Sequence, residues 1–186
     1  MEDKQIMELY WARSEQAITE TDQKYGKYCY YIAHNILKNH EDSEECVNET
    51  YWKAWGLMPP KQPQKLSAFL GKITRNLSIN KYNLLHTQKR GEGQFPIALE
   101  ELQECIPSGE NVEQAVENEE LAEIFNRFLE MLPVEKRKVF MRRYWYFSPI
   151  KEIAEEYGMS ESKIKMLLMR TRKEFKNYLE MEGVVI

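Results

Sequence analysis

Cysteine is scarce in this 186-residue chain: Cys29, Cys46 and Cys105 are far apart and odd in number, which argues against a disulfide framework. No CxxC or HExxH spacing occurs, so no ready-made zinc site is written in the sequence. His34, His40 and Cys46 could be imagined around a metal, but surface histidines and a buried helical cysteine explain them better. No metal and no cofactor is expected. No apolar run approaches the roughly 20 residues that a membrane span needs, and the acidic start of the chain is not the basic-then-apolar pattern of a signal peptide. A cytoplasmic protein without membrane insertion is the expectation. Positive charge is missing from one long stretch: from Glu92 to Glu123 there are ten glutamates and no Lys or Arg.

What surrounds that stretch carries the opposite sign. Lys61 to Arg90 holds seven cations and no acid, and Glu135 to Lys176 holds twelve cations against six acids. The formal net charge of −4 therefore hides two basic blocks separated by an acidic connector. That distribution predicts two modules facing nucleic acid. It also predicts that the acidic connector suppresses binding to free DNA.

The periodicity is helical throughout, and the fold class predicted is all-α: two small helical domains joined by an acidic linker. Glu2 to about Leu37 reads as two helices, the second with a stripe that includes Ala17, Ile18, Tyr25, Cys29, Ile32 and Ile36. Tyr25, Tyr28, Tyr30 and Tyr31 could stack on bases, although core packing suits most of them better. Asn39 to Ser43 reads as a turn, and about Asp42 to Trp55 as a third helix with Val47, Tyr51, Ala54 and Trp55 inward. Glu44, Glu45, Asn48, Glu49 and Trp52 mark its other face. Solvation would account for the acids, but an outward Trp suits a protein interface. The three prolines of Gly56 to Gln64 exclude helix. Leu66 to about Leu85 follows as a fourth helix with Phe69, Leu70, Ile73, Leu77 and Leu84 inward. Its other side carries Lys72, Arg75, Asn76, Asn80 and Lys81, a mixture of cations and amides able to grip a phosphate backbone and unstacked bases.

Thr87 to about Asn111 contains Gly91, Gly93, Pro96, Pro107 and Gly109 and reads as a linker, although Ile97, Leu99, Leu102 and Ile106 give it some apolar content. Glu113 to Met131 returns to helix, and Pro133 starts the next, with Val139, Phe140 and Tyr144 inward. The domain limits expected are 1–90, a linker over 91–115, and 116–186.

Ser148 to Phe175 is the stretch around which the rest is arranged. Ser148 can cap a short helix and Pro149 fits its first turn. Gly158 suits a left-handed exit, and Ser160 can cap a second helix with Ile164, Leu167, Leu168 and Phe175 as its apolar stripe. A small Ala154 four residues before the glycine and an apolar Ile164 six after it are what a helix-turn-helix requires. An ordinary helical hairpin would share the stripe. The polar face favours recognition of DNA: Ser160, Glu161, Ser162, Lys163, Lys165, Arg170 and Arg172 point away from the stripe, with Met166 and Met169 among them and Lys173 and Lys176 beyond.

Three segments together, in this order, resemble the sigma-70 family of RNA polymerase sigma factors, and more closely its extracytoplasmic-function group. Asp42 to Trp55 is similar to that family's "DAEDLVQETFLRAW", and Phe69 to Leu77 to its "WLYRIARNL"; Leu132-Pro133, Arg142 to Tyr144 and Glu152 to Ala154 match its C-terminal domain. The resemblance implies core RNA polymerase as partner, through the β′ clamp helices and the β flap, and promoter DNA. Asp42, Glu44, Glu45, Asn48, Glu49 and Trp52 would dock on β′. Lys72, Arg75, Asn76, Asn80 and Lys81 would open and hold the −10 element, and Ser160 to Arg170 would read the −35 element. An anti-sigma factor is a further partner implied by the family. Leu167 stands where the family often has Arg, Cys46 replaces a common Leu, and Gly71 replaces a common aromatic, which is expected to loosen the fourth helix. The rival expectation from the residues is a stand-alone helix-turn-helix regulator. An enzyme is not expected, because no nucleophile or metal site accompanies the linker glutamates.

Overall fold

The computed structural model describes residues 1–85, 94–103 and 119–184. The chain divides into two units, Met1–Gly91 and Glu92–Ile186, and no strand occurs among the described residues. None of the described helices is long and apolar enough to cross a membrane. The expectations for Lys89, Arg90, Cys105, Ile106, Pro107, Gly109 and Val116 lie outside the described residues.

Four helices build the first unit: α1 Asp3–Trp11, α2 Gln16–Leu37, α3 His40–Leu57 and α4 Leu66–Leu85. The third begins two residues earlier than its apolar pattern does. Asn39 caps it, its Oδ1 accepting from the Asp42 N–H at 2.9 Å, and Glu41 and Asp42 place negative charge in the first turn, where the helix dipole favours it. Ile6, Tyr10, Cys29, Tyr51, Ala54, Met58, Leu66 and Leu70 form the shared core. Its polar groups are satisfied locally. The Tyr10 and Thr21 hydroxyls lie 3.0 Å apart, and Tyr51 donates to Asp22 at 2.9 Å. Burial pushes the Cys29 thiol up to about 11, so at neutral pH it is a protonated core side chain rather than a ligand.

The inward side of α4 is the one its apolar residues outline, except at Leu84, and it is widened by two hydroxyls. Leu66, Leu70, Thr74, Leu77 and Ser78 are buried, Phe69 and Ile73 are half-buried, and Leu84 is 75% exposed. The seam with α3 is made by hydroxyls. Thr50 lies 2.7 Å from the Cys46 carbonyl and 3.0 Å from Thr74, which donates to Leu70 O at 2.9 Å. Ser78 donates to Thr74 O at 2.8 Å. Each hydroxyl donates to a carbonyl one turn back on its own helix, so none is buried without a partner. Gly71 leaves room for a neighbour: a Cβ there would stand 2.5 Å from the Tyr28 hydroxyl and 3.3 Å or less from its ring. The glycine lets Tyr28 pack against the α4 backbone, filling space from the neighbouring helix.

The second unit holds α5 Gln94–Gln103, α6 Glu119–Met131, α7 Val134–Tyr144, α8 Ile150–Tyr157 and α9 Glu161–Met181. Part of the stretch read as linker is thus helical, with Ala98 fully buried and Leu102 nearly so. Phe125, Phe128, Phe140 and Phe175 cluster between α6, α7 and α9, with Phe128 and Phe175 ring centres 4.9 Å apart. Such pairs contribute roughly 0.5–1.5 kcal/mol each beyond their buried area. Between α7 and α8 the chain reverses at Phe147, whose φ of 53° lies in the left-handed region. That costs a non-glycine residue roughly 1–2 kcal/mol, offset here by the burial of its side chain and a Ser148 N–H to Arg142 O bond of 2.9 Å.

Candidate nucleic-acid and partner-binding interfaces

The helix-turn-helix geometry follows from three local devices. Gly158 ends α8 at φ 61° and ψ 33°, a conformation that glycine adopts without steric cost. Ser160 caps α9, its hydroxyl accepting from the Lys163 N–H at 3.2 Å. Ala154 and Ile164 are buried where the two helices cross. Ser148 plays a different part from the cap expected. It is buried, its carbonyl accepts from Arg143 at 3.3 Å, and Pro149 occupies the cap position with no side-chain bond. The reason is that the preceding left-handed residue has already turned the chain, leaving Ser148 inside the bend.

On α9 the buried side consists of Ile164, Leu168, Thr171, Phe175 and Leu179. Ser160, Glu161, Ser162, Lys163, Lys165, Met166, Met169 and Arg170 are all exposed, as is Lys173 one turn further on. None of Lys163, Lys165, Arg170 and Lys173 forms an ion pair with another described residue. Unneutralised cations along one exposed helix are what a phosphate backbone attracts.

In the first unit α3 presents Glu44, Glu45, Asn48, Glu49 and Trp52 to solvent, with Trp52 71% exposed. Asp42 is half-buried on the same face. Of the cationic side expected on α4, Lys72 and Asn80 are exposed and Asn76 is half-buried, whereas Arg75 is only 4% exposed. Arg75 faces inward because the true core side of α4 runs through Thr74 and Ser78, next to it on the helix. Lys81 joins the two faces. Its Nζ lies 2.9 Å from Asp42 and 2.7 Å from Glu45. Burial opposes its charge, but the two carboxylates outweigh this and raise its pKa. A lysine read as a strand contact thus also positions two acids on the face of α3.

His34 and His40 meet around Tyr30, His40 Nδ1 lying 2.9 Å from the Tyr30 hydroxyl. Among the described residues no three His, Cys, Asp or Glu side chains are placed to hold a metal ion.

Two family models match the chain in the order of these elements. The one described as Sigma-70 region 2 matches residues 22–85, spanning most of α2 with α3 and α4. The one described as Sigma-70, region 4 matches residues 122–175, which take in the helix-turn-helix. The chain belongs to the sigma-70 family. The pair of matches supports the extracytoplasmic-function group to which the motifs point. No curated protein matches the chain.

Between the two sigma-70 matches lies α5, and it contributes a contact that the sequence did not reveal. Glu101 receives Arg143 Nη2 at 2.9 Å, the Tyr144 hydroxyl at 2.9 Å and Arg172 Nη1 at 3.3 Å, so Arg172, expected on the outward polar face of α9, is instead drawn inward, its side chain 16% exposed. Arg143 is completely buried. Burial raises the pKa of the Glu101 carboxyl, but the hydrogen bond and charge of Arg143, helped by Tyr144 and Arg172, bring it below its ordinary value. One of the ten connector glutamates therefore serves the interior of the region 4 unit. Neither periodicity nor spacing could signal this, because its partners lie 42 and 71 residues away.

Proposed function

We propose that this chain is an extracytoplasmic-function sigma factor that binds core RNA polymerase and directs it to a particular set of promoters. The observation that carries the reading is the exposed Trp52 on an acidic face of α3, in the same chain as an α9 with unneutralised cations. A regulator acting alone on duplex DNA has no use for the first of these. Asp42, Glu44, Glu45, Asn48, Glu49 and Trp52 meet the β′ clamp helices, whose basic, helical surface complements them. Lys72, Asn76, Asn80 and Lys81 hold the opened −10 strand, and the buried Arg75 acts by supporting their helix. Ser160 to Arg170 read the −35 element while the region 4 unit rests on the β flap. The polymerase does the chemistry, and the protein works in the cytoplasm without cofactor or metal. A protein antagonist of the anti-sigma kind would compete for the Trp52 face.

The test is reconstitution. Mixed with core polymerase, the chain should co-elute with it and start transcripts at promoters that core alone ignores. Failure to co-elute, with tight binding to a duplex site as a dimer, would establish the stand-alone regulator instead.

Lys165 gives a finer test on the promoter. If it meets phosphate, Lys165→Ala weakens binding alike for all sequences and lowers the salt slope by about one. If it meets a base, one −35 position loses preference by roughly 1–3 kcal/mol. Unchanged binding in titrations at several salt concentrations would remove it from the interface.

A further inference from the structure

The outward face of α9 has an apolar centre. Counting about 100° per residue, the direction opposite Ile164, Leu168 and Phe175 is held by Ser162, Met166, Met169 and Lys173. Met166 is 46% exposed and Met169 48%. Methionine is ordinarily a buried residue, and the α9 core is already closed by Ile164, Leu168, Thr171 and Phe175 without them. Lys163 and Arg170 flank the pair on one side and Lys165 on the other, all exposed. An apolar protein partner would not explain that cationic rim, whereas a polyanion does. A helix that lays such a rim along two phosphate backbones places its centre against base edges in the major groove.

The base edges of that groove offer hydrogen-bond donors and acceptors and one prominent apolar group, the C5 methyl of thymine. A thioether side chain cannot donate and accepts only weakly, so it distinguishes bases by packing on that methyl. We propose that Met166 and Met169 select thymine in the −35 half of the promoter by contact with its methyl group. This rests on the reading of α9 as the −35 recognition helix, and adds to it which base two of its residues choose.

The experiment removes the methyl rather than the residue. Holoenzyme made from core polymerase and the full chain would select its −35 sequence from a randomised library. Each selected thymine would then be replaced by deoxyuridine, which keeps every hydrogen-bonding group. At one or two positions affinity should fall about fourfold, the worth of one buried apolar carbon. Met166→Ala and Met169→Ala should each abolish the difference between thymine and deoxyuridine at one of those positions and leave the salt dependence unchanged. Both side chains are exposed and alanine favours helix, so the variants should fold. Equal binding of thymine and deoxyuridine at every −35 position would overturn the proposal, as would a methyl effect that persists in both variants. If no holoenzyme forms, the sigma reading itself fails. The same selection and comparison, run with the full chain on duplex DNA, then decides the methyl question separately.

Discussion

Replacing Trp52 and Glu49 together by alanine is expected to weaken capture of core polymerase by about 30-fold or more while leaving the fold intact. Both side chains point to solvent, Trp52 with 71% of its surface exposed, so neither contributes packing that the first unit would miss. Truncating an aromatic anchor at the centre of an interface costs about 2 kcal/mol or more, which is roughly a 30-fold loss of affinity. An exposed charge that pairs only at a rim contributes about 0–1 kcal/mol. The tryptophan should therefore dominate, with Glu49→Ala alone a mild defect. The measurement is a titration of labelled protein with core polymerase, alongside the helical circular-dichroism signal and DNA binding by the C-terminal unit. Wild-type affinity in the double variant would take this face of α3 out of the polymerase contact. A collapsed helical signal would mean that Trp52 is structural after all.

Glu101→Gln should destabilise the second unit far more than Glu100→Gln, although both remove one negative charge from the same helix. Glu100 is exposed, whereas Glu101 neutralises a guanidinium with no exposed surface. Breaking one side of a buried pair costs roughly 3–5 kcal/mol. Because glutamine keeps part of the hydrogen bonding, about 2–3 kcal/mol is expected here. Amide hydrogen exchange in α6 to α9 reads this directly, since it resolves the two units where a melting curve of the whole chain would merge them.

The same pair sets a pH dependence. The folded carboxyl of Glu101 titrates below its ordinary value of 4.5. Its contribution is therefore complete above the unfolded pKa and lost as pH falls through the lower, folded one. Protection in the second unit of the wild type should decline on acidification through this range, and Glu101→Gln should lack that component. Equal exchange in the two glutamine variants at neutral pH would show that the Arg143 contact contributes nothing.

The elements that sequence reading located well are those decided over a few residues. The turn at Gly158, the cap at Ser160 and the pairing of Ala154 with Ile164 depend on φ preference, one hydrogen bond and side-chain size. All of these are properties of the residues themselves. The all-helical character was legible for the same reason, since a 3.6-residue period is a local signal. The Trp52 face could be read because α3 has enough inward residues to define its outward side.

What tertiary structure alone decided is which partner each side chain meets. The inward side of α4 was placed correctly through Phe69, Leu70, Ile73 and Leu77, but it also takes in Thr74 and Ser78, polar by type and buried by bonding to their own helix, while apolar Leu84 is left in solvent. Arg75 lies inward because it stands next to the buried Thr74 on that widened face. Gly71 had no visible purpose until Tyr28 arrived from a helix more than 40 residues earlier in the chain. Lys81 became a clasp on Asp42 and Glu45 only through the packing of α4 on α3. The helix Gln94–Gln103 was hidden in an acidic stretch because its apolar face is short and its one decisive charge is matched by Arg143. Periodicity states which residues share a face; the sign and distance of what comes to lie against that face depend on chain closure over tens of residues, and no local pattern encodes them.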